Sequence, residues 1–333
     1  MKGKILKALR EAGEEYISGS DLCRMFGVSR QAVWKNIAAL KEMGYEFSTG
    51  SNRGYRLLSA PDKLYGPEIE SYLPEEGLCR RVECLEEVDS TNSYAKKLAE
   101  QGEPEGTLVV AERQTAGRGR RGRSWESPRG ANVFMTLLLR PKLHPSRVSG
   151  ITLLAALAIA RAVGETASLE VEIKWPNDVL VAGKKICGIL TEMSSEENFI
   201  HYAVVGIGIN VNQESFPEEL KEKASSLYLA TGEKWGRCAL AARTAALFGE
   251  YYRQYERHGN LSFFVEEYNR RLANRDREVQ VYYGMVEQAS RENTQVGIAR
   301  GIDEEGALLV EIDGKIERIV SGEVSVRGLY GYV

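Results

Sequence analysis

Apolar residues near the start of the chain recur at helical spacing. Ile5, Leu6 and Leu9 share one face, and Val33, Ile37 and Leu40 follow an i, i+4, i+7 pattern. A short helix between them is expected to be capped at Ser20-Asp21 and to end at Gly27, with Ser29 capping the helix that carries Val33. Gly44 stops that helix. Two short segments, 45–47 and 55–57, joined by Thr49-Gly50-Ser51-Asn52-Arg53-Gly54, predict a β-hairpin. The pattern breaks across 61–67, which reads as a linker. Beyond it, apolar runs at 107–111, 133–139, 171–173, 186–190 and 202–211 predict strands, interleaved with helical patterns at 92–101, 147–163 and 238–257. From 274 the rhythm shortens to β segments at 279–283, 294–301, 307–312 and 316–320, with turns at 303–306 and 313–314. The expected class is therefore multidomain α+β: a helical head with a hairpin (1–60), a linker (61–67), a central α/β domain (68–273) and a small SH3-like β-barrel (274–333).

Length agrees, because 333 residues exceed one ordinary domain. The longest apolar stretch, 151–160, is too short to cross a bilayer and reads as a buried helix. The first ten residues carry scattered lysines and no apolar core, so no secretory signal is read there. Five cysteines without CxxC spacing and three well-separated histidines point to a reduced cytoplasmic protein without a structural metal. Charge sharpens the domain picture. Residues 1–60 hold ten Lys/Arg against six Asp/Glu, whereas the remainder holds 34 against 41. A basic head on an acidic body fits a nucleic-acid-binding module joined to an enzyme.

The helix beginning after Ser29 carries Arg30, Gln31, Trp34 and Lys35 in its first turns. Arg pairs with guanine edges and Gln with adenine, while Ser, Lys and the indole N–H bind phosphate. Arg53 in the hairpin turn is placed for backbone or minor-groove contact. The alternative is a solvated polar face on a small helical domain. The segment resembles the winged helix-turn-helix family, with 19–38 as the helix-turn-helix unit.

Gly117-Arg118-Gly119-Arg120-Arg121-Gly122-Arg123 formally matches GxGxxG. A dinucleotide fold would need a helix at once and an acidic residue about 20 positions on. Ser124-Trp125-Glu126-Ser127-Pro128 is poor helix, and Arg140-Pro141-Lys142 lies where the acid should be, so that reading fails. Three glycines let amides wrap an oxyanion, and four arginines repel one another until a polyanion neutralises them. A solvated basic loop or an RNA-binding patch is the rival.

Five motifs stand in order: Asp89-Ser90-Thr91-Asn92; Gln114 through Trp125; Lys174-Trp175-Pro176-Asn177-Asp178; Lys185 with Gly188; and Gly206-Ile207-Gly208-Ile209-Asn210. Together they resemble the catalytic domain of biotin–protein ligases. With the head and the C-terminal barrel, the whole chain resembles the bifunctional bacterial type, the biotin operon repressor family (biotin–[acetyl-CoA-carboxylase] ligases). The resemblance implies formation of biotinyl-5′-AMP from biotin and MgATP, then transfer to a lysine of a biotin carboxyl carrier domain. It implies Lys185, Arg120 and Arg121 as catalytic groups. Biotin would meet Ser90, Thr91, Asn92, Gln114, Gly117, Arg118, Gly119, Arg120, Lys185, Gly188 and Gly206. ATP or the adenylate would meet Arg118, Arg121, Trp125, Lys174, Asn177 and Asn210, with Asp178 on Mg2+. The further implications are repression at operator DNA through Ser29, Arg30, Gln31, Trp34, Lys35 and Arg53, and a homodimer when adenylate is bound. The rival readings are a lipoate or octanoate ligase, a ligase with a vestigial or differently targeted head, and a ligand-sensing transcription factor with a dead enzyme domain.

Overall fold

The computed structural model describes residues 1–50, 53–283, 294–321 and 324–328. The first unit is built from α1 (Lys2–Glu11), α2 (Gly19–Phe26), α3 (Arg30–Glu42) and the antiparallel hairpin of β1 (Glu46–Gly50) and β2 (Gly54–Ser59). Its core joins Ile5, Leu6 and Leu9 to Val33, Ile37 and Leu40, the two stripes expected from spacing. Ser29 caps α3 by accepting from the Ala32 amide. The cap of α2 differs from expectation: Ser18 accepts from the Asp21 amide, and Ser20 and Asp21 lie in the first turn. Ser18 lies one residue before the helix and has the extended backbone of an N-cap, which places its hydroxyl on the free amides. Gly27 ends α2 in the left-handed region, at φ 64°, where a side chain would be strained.

The segment 61–67 is fastened at several points. Arg237 donates to Asp62 and Glu112, Glu112 accepts from the Leu64 amide, and Leu64 is buried in the central core. It leads into α4 (Gly66–Tyr72), which receives the head: Arg10 of α1 bonds Glu68 and Tyr72.

The central unit continues with β3 (Arg81–Leu85), α5 (Thr91–Glu100), β4 (Thr107–Ala111), β5 (Val133–Leu139), α6 (Val148–Ala167), β6 (Glu172–Lys174), β7 (Asp178–Val181), β8 (Lys184–Ser195) and β9 (Ile200–Ile209). These strands form one sheet in the order β3-β4-β5-β9-β8-β7-β6, parallel only between β3 and β4. Helices α7 (Leu227–Thr231), α8 (Arg237–His258) and α9 (Val265–Arg271) follow. One face of the sheet packs on α6 and α8, and the other on α5, where Ala95 and Ala99 meet Val109, Leu138 and Val204. Residues 145–167 reach the length and apolarity of a membrane span, but α6 is mostly buried as the central core helix.

The last unit is an antiparallel sheet of β10 (Glu278–Tyr283), β11 (Thr294–Ile302), β12 (Leu308–Ile312), β13 (Lys315–Ile319) and β14 (Val324–Gly328), ordered β13-β12-β11-β10-β14. Val279, Val281, Leu308 and Val310 belong to the same core as α6 and α8. The Trp175 indole donates to the Gly306 carbonyl at 3.1 Å, tying this unit to the β6–β7 turn.

Candidate active site

Strand register determines the site. Across neighbouring strands Phe134 pairs with Gly208, Gly208 with Gly188, Gly188 with Asp178 and Asp178 with Lys174. The next row reads Thr136, Gly206, Leu190. Both rows continue the face covered by α5, beyond the helix start at Thr91. Two glycines facing each other leave a trough in that face, and Trp125 lies in it. A Cβ on Gly208 would stand 2.6 Å from the Trp125 Nε1, and one on Gly188 would stand 2.8 Å from its Cζ3. The indole N–H is buried without an acceptor among the described residues, a costly state for a polar group.

The glycine–arginine loop closes over this trough as a tight excursion. The Trp125 backbone N–H donates to the Gly117 carbonyl at 2.9 Å and the Gly119 N–H to that of Arg123 at 2.7 Å. Arg121 at the tip has φ 57°. Arg120 donates to the Asn177 side chain at 3.0 Å. Burial and then the neighbouring Arg121 push the Arg120 pKa down, only partly offset by Asp178. The mutual repulsion expected from the sequence is thus felt at Arg120. Lys185 stands 2.6 Å from the Asp178 carboxylate and 5.2 Å from the centre of the Trp125 ring.

A cleft of about 460 Å3, open solvent included, gathers Ser90, Thr91, Asn92, Gln114, Arg118, Gly119, Arg120, Trp125, Asn177, Lys185, Gly188 and Gly206 on one surface. Gly208, Ile189, Leu190 and Ile207 complete its wall. Five residues predicted for the ligand site, Gly117, Arg121, Lys174, Asn210 and Asp178, are not in the lining. Gly117 supports Trp125 from behind, and Arg121 is exposed at the loop tip. Lys174 is buried at the far end of the glycine row. The Asn210 side-chain NH2 donates to the Ser225 carbonyl at 3.0 Å and its backbone carbonyl accepts the Leu227 N–H at 3.1 Å, so it holds the segment after β9. Asp178 reaches the site through Lys185. Among the described residues, no group of three His, Cys, Asp or Glu side chains could hold a metal ion. In the head, Ser29, Arg30, Gln31, Lys35 and Arg53 are exposed, and Trp34 is 64% exposed.

Sequence reading missed two groups beneath the cleft. Thr136 bonds Thr91 and Asn92, and Glu192 accepts from Asn92 and pairs with Lys96. The available signal was one hydroxyl within the apolar run 133–139.

A mixed sheet parallel only at its β3–β4 edge, a glycine trough and a basic loop over it define a class, and comparison with known proteins names it. Residues 84–210 match the Biotin/lipoate A/B protein ligase family, 2–56 an HTH domain and 286–327 the Biotin protein ligase C terminal domain. The Bifunctional ligase/repressor BirA of Bacillus subtilis is 39% identical over 330 residues, spanning 98% of each chain. That of Escherichia coli is 31% identical over 317 residues, 95% of this chain and 94% of its own. A solved biotin protein ligase from Aquifex aeolicus, in complex with biotin and ATP, superimposes with TM-score 0.65 at 32% identity, covering 75% of this chain and 99% of that one. The chain belongs to the bifunctional biotin ligase/repressor family.

Proposed function

We propose that the chain activates biotin with ATP to biotinyl-5′-AMP, transfers biotin to a lysine of a biotin carboxyl carrier domain, and represses transcription through its head. The observation that carries the ligase half is the assembly of Lys185, Arg118, Arg120, Gln114 and Thr91 around the glycine trough beneath Trp125. Activation brings a carboxylate against a triphosphate, so fixed cations are needed where charge develops. Lys185 fills that role at the carboxylate and α-phosphate. Arg118, Arg120 and Arg121 close over the anion, which relieves the repulsion felt at Arg120. Ser90, Thr91, Asn92 and Gln114 form the polar end for the ureido ring, with Gly117, Gly119, Gly188 and Gly206 permitting close approach of backbone. Trp125 must leave the trough to admit the ligand and then covers the adenylate. Lys174, Asn177 and Asn210 frame the nucleotide side.

Mg2+ enters with ATP as substrate, and Asp178 is the carboxylate placed beside it. One carboxylate engaged with Lys185 suits a contact to a phosphate-bound ion better than a resident metal site. The division of labour follows 1–60, 61–67, 68–273 and 274–333, in a cytoplasmic protein. Ser29, Arg30, Gln31, Trp34, Lys35 and Arg53 form the DNA-facing surface, and adenylate-bound protein pairs into a homodimer that grips a two-fold operator.

Incubating the full chain with labelled biotin, MgATP and an acceptor domain tests the enzyme. Labelling of the acceptor is expected, and its absence would sink the ligase reading. Labelling with octanoate or lipoate instead would favour the lipoate-ligase alternative. Footprinting with and without biotin plus ATP tests the repressor, and ligand-independent or absent protection would leave only the enzyme.

A further inference from the structure

Helix α3 turns several polar side chains back onto the head and one aromatic ring outward. Ser29 accepts from the Ala32 amide, and Asn36 donates to the Ala32 carbonyl at 2.8 Å. Arg30 donates to Ser20 at 3.0 Å, which holds its guanidinium beside α2. Val33, Ile37 and Leu40 are buried and fix the rotation of the helix about its axis. Gln31, Trp34, Lys35 and half-buried Ala38 are left along the outward side, at i, i+3, i+4 and i+7. Trp34 is 64% exposed, and its side chain has no hydrogen-bond or ring partner among the described residues. The other aromatic side chains of the head are engaged: Phe26, Tyr45, Phe47 and Tyr55 pack in or on its core, and Tyr16 bonds Ser48.

We infer that Trp34 is a specificity-determining residue that reads one thymine in each half of a two-fold operator, through the 5-methyl group in the major groove. The inference rests on the head being the DNA reader. Lys35 and the excess of Lys and Arg in residues 1–60 draw α3 to the phosphates. A ring carried there gains from losing its water only where it meets an apolar partner. A phosphate can take the indole N–H, but it offers the ring face no such partner. Among the base edges of the major groove the thymine methyl is the apolar group, and it marks T·A off from the other pairs. Ala38, one turn on from Trp34, extends the apolar strip. Gln31 lies three residues before Trp34, a rise of about 4.5 Å, little more than one base-pair step, so its amide meets the neighbouring pair.

Footprinting with biotin and MgATP supplies the operator. It is then made with thymidine and with deoxyuridine in its place, a change that removes the methyl and keeps the pairing. Fluorescence anisotropy of the adenylate-loaded full chain, at one fixed salt concentration, compares the two DNAs. Wild-type protein should prefer thymidine DNA by about tenfold, the equivalent of two buried methyl groups in a two-fold site. Trp34→Ala should bind thymidine DNA more weakly and compress the preference to about twofold or less, with the melting temperature of the protein unchanged. Lys35→Ala is the control. It should weaken both DNAs alike and leave the preference near tenfold, because a phosphate contact carries no sequence information. Single deoxyuridines moved along the operator should locate the wild-type response at one thymine in each half-site. The same preference in wild-type and Trp34→Ala proteins would overturn the inference alone, since the methyl would then act through the DNA or through other side chains. A response spread evenly over many thymines would overturn it too. Absence of any protected DNA would overturn the repressor reading and this inference with it.

Discussion

Arg237 and Arg120 are both sheltered from water, and the protein surrounds them in opposite ways. Arg237, at the start of α8, is 1% exposed and is ringed by acceptors. It gives Nη1 to Glu112 at 3.0 Å and Nε to Asp62 at 2.9 Å, and its remaining protons reach the Asn132 and Asp62 carbonyls. Burial alone disfavours its charge, but the bonds and field of Glu112 and Asp62 prevail and raise its pKa. Arg120 has a neutral amide for a partner and other arginines for neighbours, and its pKa is lowered. A guanidinium is thus structural where the fold supplies bonded carboxylates, and under the proposed function it receives an anion where the fold supplies only the partial offset of Asp178. The first arrangement clamps the segment between head and body. The second leaves a loop whose charge an incoming phosphate can satisfy.

The largest effect should come from breaking the satisfied arginine. Arg237→Ala leaves Glu112 buried without its cation, and removing one partner of a buried pair costs about 3–5 kcal/mol. Urea or thermal unfolding at neutral pH should show that loss, while a change under about 1 kcal/mol would place Arg237 among ordinary surface pairs and erase the contrast. On the receptor side the cost should appear in rate. Lys185→Ala is expected to slow adenylate formation about 100- to 1,000-fold, the scale of losing one group aimed at developing charge. Its far-UV spectrum should stay that of the wild type, and wild-type turnover would refute the role given to Lys185.

The same contrast explains what the sequence disclosed. The receptor side is written in neighbours: Gly117 to Arg123 is contiguous, and Lys185 and Gly188 stand within one strand. Spacing also revealed α1, α3, α5 and α8, because each buries one face, and α6 showed as an apolar run because it is buried nearly all round. The clamp is written in residues far apart, as Asp62, Glu112 and Arg237 lie in separate elements and nothing local marks any of them as a partner. Glu192 and Thr136 were hidden for the same reason. Strand β3 escaped notice because Arg81, Glu83 and partly buried Val82 and Cys84 lack the apolar run of a central strand, and it lies at the edge of its sheet. Asn210 shows the converse. Its motif position pointed to the nucleotide, and the fold adds that its side-chain NH2 donates to the Ser225 carbonyl while its backbone carbonyl accepts from Leu227, a use that only the folded chain discloses.

Arg120→Gly sharpens the comparison at smaller cost. It deletes one cation from a crowded loop and one bond to Asn177, so folding stability should change little while the adenylate escapes about tenfold faster, the equivalent of one modest interaction. Pulse-chase release of labelled adenylate measures this, and an unchanged off-rate would count against a loop that closes on its ligand.

Asp62→Asn should have the smallest effect, and it separates the two halves of the clamp. Asp62 is 51% exposed, whereas Glu112 is 5% exposed, so water already screens the Asp62 charge and replaces much of its bond when it is lost. The substitution keeps an oxygen that can still accept from Arg237 Nε, and the Asp62 carbonyl still receives Nη2. A loss of no more than about 1 kcal/mol is expected, well below that for Arg237→Ala. Equal losses from the two variants would mean that the exposed carboxylate carries the clamp. The buried Glu112 would then be a passenger, and depth would not be what distinguishes Arg237 from Arg120.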